Sequence, residues 1–169
     1  MIRNAAQEDF QQILRIYEYA RNFMKQTGNP TQWGDHSPAV DVLRKDMEKG
    51  QLYVVEEDGQ VCGVFAFIIG KDPTYERIEN GAWKSETEYG TIHRVATDGT
   101  KHGVFHQIVS FCVKKKNHLR IDTHEKNKIM RHLIQKNGFL ECGIIYVADG
   151  SPRIACEKAG TIRTEISVT

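Results

Sequence analysis

Ile92-His93-Arg94-Val95-Ala96-Thr97-Asp98-Gly99-Thr100-Lys101-His102-Gly103-Val104 is the stretch on which the fold turns. Its first residues read as a strand, Thr97-Asp98-Gly99 breaks it, and Val104, Ile108, Phe111 and Cys112 then follow helical spacing. A strand that runs through a short glycine-containing loop into a helix leaves several N–H groups unpaired at the helix start. With the helix dipole they form a ready site for phosphate, and Lys101 and His102 add positive charge there. Many α/β proteins place such a loop for connectivity alone, so by itself the signal is weak. There is no G-x-G-x-x-G, and no Lys-Ser or Lys-Thr follows Gly103, so dinucleotide-fold and P-loop readings lose support.

Downstream, Leu119-Arg120-Ile121-Asp122 reads as a strand, and Asn127 to Lys136 as a helix closed by Asn137-Gly138. Two last strands cover Cys142 to Val147 and Arg153 to Glu157, around Asp149-Gly150-Ser151-Pro152. Upstream, Ile2 to Ala5 is a short strand. Phe10, Ile13, Leu14, Tyr17, Ala20 and Met24 keep helical spacing up to Gly28-Asn29-Pro30. Val40, Leu43 and Met47 mark a second helix ending at Gly50. Leu52 to Val55 and Val61 to Ile69 form a hairpin around Asp58-Gly59. Lys71 to Glu88 has weak periodicity and reads as an insertion between strands. The pattern predicts one mixed α/β domain over 1–169, with a polar, frayed tail from about Gly160.

Composition narrows the function classes. A net charge of +1 gives no reason to expect a bulk nucleic-acid binder, and Lys114-Lys115-Lys116 reads as a solvated helix end. No apolar run approaches the ~20 residues of a membrane span, and Met1 to Asn4 opens no signal peptide. A cytoplasmic protein is therefore expected. Cys62, Cys112, Cys142 and Cys156 sit among apolar neighbours without a C-x-x-C pair, as reduced core thiols do. His102 and His106 are four apart but lack a third ligand, so no metal is expected.

The segment from Leu119 through Asn127 to Gln135-Lys136-Asn137-Gly138-Phe139 resembles the strand-five and helix region of GNAT acyltransferases, where "LRLDV…N" precedes "LYEKxGF". The phosphate loop lies one helix and one strand upstream, as in that family, and the resemblance extends over nearly all of Ile2 to Glu157. It implies an α+β fold: a mostly antiparallel, twisted sheet of six to seven strands flanked by about four helices. It also implies acetyl transfer from acetyl-CoA, as cosubstrate, to a primary amine of a small molecule, peptide or protein. No nucleic acid or membrane partner is implied, and a homodimer stays open.

On this resemblance the backbone of His93-Arg94-Val95 holds the pantetheine arm. Lys101, His102, Gly103, Val104, Phe105 and His106 hold the pyrophosphate, and Asn127, also a natural N-cap, contacts the arm. Two positions depart from the family. Its loop reads Arg/Gln-x-x-Gly-x-Gly/Ala, where this chain has Thr100, Gly103 and Phe105, and its acid-bearing Tyr is Ile134 here. Both departures favour an alternative, a GNAT-fold module that binds CoA without turnover. A thiol near pKa ~8.5 leaves tolerably without an acid, whereas freeing an alkylammonium lone pair at pH 7 costs on the order of 4 kcal/mol. A base therefore matters more than an acid. His93 is the first candidate, against the competing reading of a strand histidine bonded for structure. Glu86 and Glu88 are weaker alternatives, and Tyr146 is the candidate acid. Trp33 and Asp35 in one polar segment, and Tyr75 and Trp83 in the other, are the candidate acceptor contacts. Acidic residues outnumber basic ones between Tyr75 and Tyr89, which favours a cationic amine.

Overall fold

Hydrophobic periodicity sets the element order. The computed structural model describes residues 1–160. The frayed tail expected from about Gly160 falls, from residue 161 on, outside them. The order is β1 (Ile2–Asn4), α1 (Phe10–Gln26), α2 (Val40–Glu48), β2 (Leu52–Glu57), β3 (Gln60–Ile69), β4 (Gly90–Thr97), α3 (Val104–Lys115), β5 (Leu119–Thr123), α4 (Lys128–Lys136), β6 (Leu140–Tyr146) and β7 (Pro152–Lys158). One seven-stranded sheet runs β1-β2-β3-β4-β5-β7-β6, antiparallel except between β4 and β5. Every expected element is present, and Asn127 caps α4, its Oδ1 accepting from the Met130 N–H at 3.1 Å.

Alternation of side chains across the strands divides the core into layers. On one face α3 and α4 cover Phe65, Ile92, Leu119, Ile121 and Cys156. On the other, α1 buries Ile13, Ile16, Tyr17 and Ala20 against Val54, Val64 and Ala66, with Leu43 of α2. Each such side chain contributes about 1.5–3 kcal/mol by leaving water. The insertion between β3 and β4 supplies a third cluster. Tyr75 and Tyr89, with Trp83 packed beside them, cover Ile145 and Ala155 of β6 and β7. This belt reaches the far edge of the sheet, where Glu79 bridges Ile144. It passes so close there that a Cβ on Gly81 would sit 1.9 Å from the Cys142 carbonyl oxygen, so that position must be glycine.

All four cysteines are buried and free. Burial pushes Cys112 and Cys156 up to about 12, which makes them inert core thiols. Among the described residues, no helix is long and apolar enough to cross a membrane.

Candidate functional site

β4 and β5 pair only at Gly90–Leu119 and Thr91–Arg120, and beyond those residues they diverge. The cause lies in β4. Opposite Val64 to Ala66 its register slips by one residue, and Arg94 takes φ 54°, left-handed backbone that costs a non-glycine residue on the order of 1–2 kcal/mol. Two helices hold the bulge in place. The Tyr17 hydroxyl of α1 donates to the Arg94 carbonyl at 2.7 Å, and Asp46 of α2 pairs with the Arg94 guanidinium at 2.7 Å. Burial raises the Tyr17 phenol, so it stays a donor.

The divergence opens a groove of about 590 Å³. Its walls are Ile92 to Val95 of β4 and Ile121 to Thr123 of β5, with Asn127 and Met130 of α4 at one side. The segment between α1 and α2 crosses above it through Gln32 and Trp33. Gln32 ties that roof down. Its Oε1 accepts from Asn127 Nδ2 at 3.1 Å and from Asn29 Nδ2 at 2.7 Å, and its carbonyl accepts from Arg153 at 3.2 Å. The belt contributes Asp72 and Thr74.

His93 faces this groove with its Nε2 2.9 Å from Asp72 Oδ2. Burial pushes the Asp72 carboxyl up, but hydrogen bonds from His93 and Thr74 and the His93 charge outweigh it and hold the group at about 2. Asp72 is thus a permanent acceptor, and the tautomer that satisfies it has the proton on Nε2 and the lone pair on Nδ1. Across the groove, the Tyr75 hydroxyl donates to Asp122 Oδ2 at 2.6 Å. Burial first, then Asp122, raises the Tyr75 phenol well above its usual range, so it cannot act as a base.

At the end of β4, Gly103 N-caps α3 with φ 72°, and a Cβ there would meet nothing within 4 Å. Space is thus open at this helix start, where His102 and Gly103 are exposed, although no residue of the turn lines the groove. Phe105 does not plug the loop, because its side chain is buried beneath α3 in the core with Val104. Lys101 turns away to Asp58 of the β2–β3 hairpin at 2.6 Å, and His106 binds Asn137 at 3.0 Å. Thr123 lines the groove, and its buried Oγ1 has no hydrogen-bond partner among the described residues. These features suit CoA: a helix start for the pyrophosphate and an unpaired strand edge for the amide-bearing arm.

The structure brings His93, Arg94, Val95, Asn127 and Trp33 to one groove and places four other candidates away from it. Tyr146 lies outside the lining, with its hydroxyl donating to Glu79 at 2.8 Å, and that bond raises its pKa and weakens it as an acid. Asp35 is exposed and paired with Lys25, because the loop turns it outward. Tyr75 is core, and Trp83 donates to the Tyr75 carbonyl at 2.8 Å within the belt. Both line a second cavity beneath the belt, with Glu86 and Glu88, rather than the groove. Ile134 is buried in the core. Among the described residues, no cluster of three or more potential metal ligands occurs.

Sequence reasoning missed Asp72, Asp122, Gln32 and Tyr17. Asp72-Pro73 carries a local turn signal, and Asp72 does accept from the Thr74 N–H at 2.9 Å, but nothing local points it at His93.

No family model matches the chain, and no curated protein matches it. Solved structures do. A GNAT-family acetyltransferase from Streptococcus agalactiae is 30% identical, with 96% of each chain covered and a TM-score of 0.86. A GNAT-family acetyltransferase from Listeria monocytogenes shares 19% identity over 94% of this chain and 93% of its own, at a TM-score of 0.67. The ribosomal-protein-alanine N-acetyltransferase of Brucella melitensis shares 16% over 94% and 99%, at 0.63. The last two are alike in fold alone.

Proposed function

Because the chain belongs to the GNAT family of acetyltransferases, we propose that it transfers an acetyl group from acetyl-CoA to a primary amine, with His93 as the base. The observation that carries this reading is the β4–β5 divergence, with the His93–Asp72 pair facing into it.

In this reading α3's first turn, with Gly103 and His102, takes the pyrophosphate. The edges of His93 to Val95 and of β5, with Thr123 and Asn127, take the arm. Bound there, acetyl-CoA supplies a thioester acyl group: an N–C bond forms, the C–S bond breaks, and the ammonium nitrogen loses two protons, one to His93 and one that ends on the sulfur. Nδ1 of His93 is the acceptor, and Asp72 stabilises the imidazolium that results. Asp122 Oδ1, without a partner among the described residues, draws the incoming ammonium toward His93. The Gln32 roof keeps water from the thioester. No side-chain acid is assigned, and a thiolate leaving group tolerates that.

Thiol release from acetyl-CoA across an amine panel, with CoA calorimetry alongside, tests the reading. Turnover that His93→Gln lowers at least about 100-fold supports it. The alternative, a binding module without turnover, is favoured by the buried Ile134 and the outlying Tyr146. CoA binding with no thiol release would select it.

A further inference from the structure

One wall of the groove holds a buried arginine that has, among the described residues, no carboxylate within ion-pair distance. The exposed Asp149 carboxyl is held low first by its hydrogen bonds with Ser151 and only in part by this arginine. Arg153, at the start of β7, is 7% exposed and lines the groove. Its NH1 and NH2 donate to the carbonyls of Pro152 at 3.0 Å and Gln32 at 3.2 Å. Among the described residues no carboxylate forms an ion pair with it. The other buried arginine, Arg120, has Glu157 at 3.1 Å, and Arg94 on the opposite wall has Asp46 at 2.7 Å. The Arg153 charge is felt nearby: His124 is held below the usual histidine range first by burial and then by Arg153.

An unpaired buried charge costs several kcal/mol, and chains normally place a counter-ion beside it. Here the place beside Arg153 is the groove itself. Alternation sets Asp122, and Arg153 on the neighbouring strand β7, on the sheet face that also carries the belt and the roof, the face from which His93 meets Asp72. Asp72 and Asp122 make the His93 side acidic, the far side holds the buried Arg153 with the exposed, solvent-screened Asp149 at its rim, and Met24, Trp33, Pro38, Val42 and Ile68 supply apolar walls.

We propose that the acceptor is an amino carboxylate with an apolar side chain, its amine set at His93 and its carboxylate on Arg153. The proposal rests on the acyltransferase reading and deepens it. A guanidinium meets a carboxylate through two parallel N–H bonds, which fixes the orientation of the amine as well as its affinity. The reaction then joins acetyl carbon to amino nitrogen, breaks the thioester C–S bond, and yields an N-acetyl amino carboxylate and free CoA thiol. Of the two protons the ammonium loses, one leaves through His93 and one ends on the CoA sulfur.

The test uses the full chain, acetyl-CoA and matched acceptors: leucine and phenylalanine, their amides, the decarboxylated amines, and phosphoethanolamine. The acids are expected to exceed the amides in kcat/KM by at least about 10-fold. Arg153→Met should collapse that acid-to-amide ratio to about one while CoA affinity by calorimetry stays as in the parent. Should Arg153→Met fail to fold, Arg153→Lys keeps the charge without the fork and should raise KM for the acids with kcat retained. Amides or decarboxylated amines that match the acids would overturn the inference and leave acyl transfer standing. So would a preference for phosphoethanolamine, or a loss of CoA affinity in Arg153→Met. Absence of CoA binding in the parent chain would overturn both.

Discussion

The His93–Asp72 contact joins two residues with different jobs. Both line the groove; in the proposed reaction His93 meets the amine, and Asp72, 2.9 Å from the ring, is the positioning residue. Asp72→Asn keeps the shape but can present its NH2 to Nε2, which favours the wrong tautomer. A fall in kcat of about 10–100-fold is expected, with KM little changed. Steady-state kinetics with one accepted amine, including the pH profile, would check it, and an unchanged kcat would remove Asp72 from the mechanism. The same carboxyl predicts a stability effect. Its folded pKa of about 2 lies below its ordinary value of 3.8, so its contribution is fully present above about pH 4 and is lost as pH falls toward 2. Parent and Asp72→Asn should therefore differ by up to about 2 kcal/mol in urea unfolding at pH 5, a gap that closes near pH 2. A gap that widened on acidification would contradict the sign.

At the scale of elements, the start of α3 sets two electrostatic demands against each other. A carboxylate beside a helix N-terminus stabilises the helix by about 0.3–1 kcal/mol, but it also occupies the place of a phosphate. His102→Glu should therefore hold or slightly raise the melting temperature while weakening CoA affinity about 10-fold or more. Calorimetry and a thermal melt on one preparation decide it, since damage to the fold would lower both together. These elements were legible in the sequence because each rests on local information. Period 3.6 gives α1 and α3, Asp58-Gly59 gives the hairpin, and Asn127 with Gly138 brackets α4. Phe105 departs from the small residue of the family's loop, and its burial in the core could not be read from that departure. The bulge at Arg94 left no local mark. It depends on Tyr17, 77 residues away, and on Asp46, 48 residues away, and no periodicity encodes such contacts. Tyr75 and Trp83 are placed by long-range contacts too. An aromatic residue in a polar stretch reads as a ligand contact, and only the fold shows that these two pack over β6 and β7 and line a cavity apart from the groove.

Across the whole molecule, the belt between β3 and β4 connects stability to the site. It leaves the middle of the sheet, supplies Asp72 to His93 and Tyr75 to Asp122, and ends in a buried charge network. There Glu157 accepts from the Lys84 N–H at 2.8 Å and from Arg120 at 3.1 Å, with His118 Nε2 at 3.0 Å. Arg120 lies between the Trp83 and Tyr89 rings, 4.0 Å from each, and also donates to the Ser85 carbonyl. Removing one member of such a network strands the others without a counter-ion, at about 3–5 kcal/mol. Glu157→Gln is therefore expected to lose about 3 kcal/mol in urea unfolding, whereas Glu88→Gln, which breaks only the exposed pair with Lys116, should lose less than about 1. The belt's double role adds a second readout. In a Trp33→Phe background only Trp83 reports on the belt, and its emission in Glu157→Gln should shift to the red in urea below the main unfolding transition. Acetyl transfer should fall over that same urea range, because Asp72 leaves with the belt. Activity that outlasted the Trp83 shift would mean that the groove keeps its acid–base pair without the belt, and the link from the Glu157 network to His93 would fail.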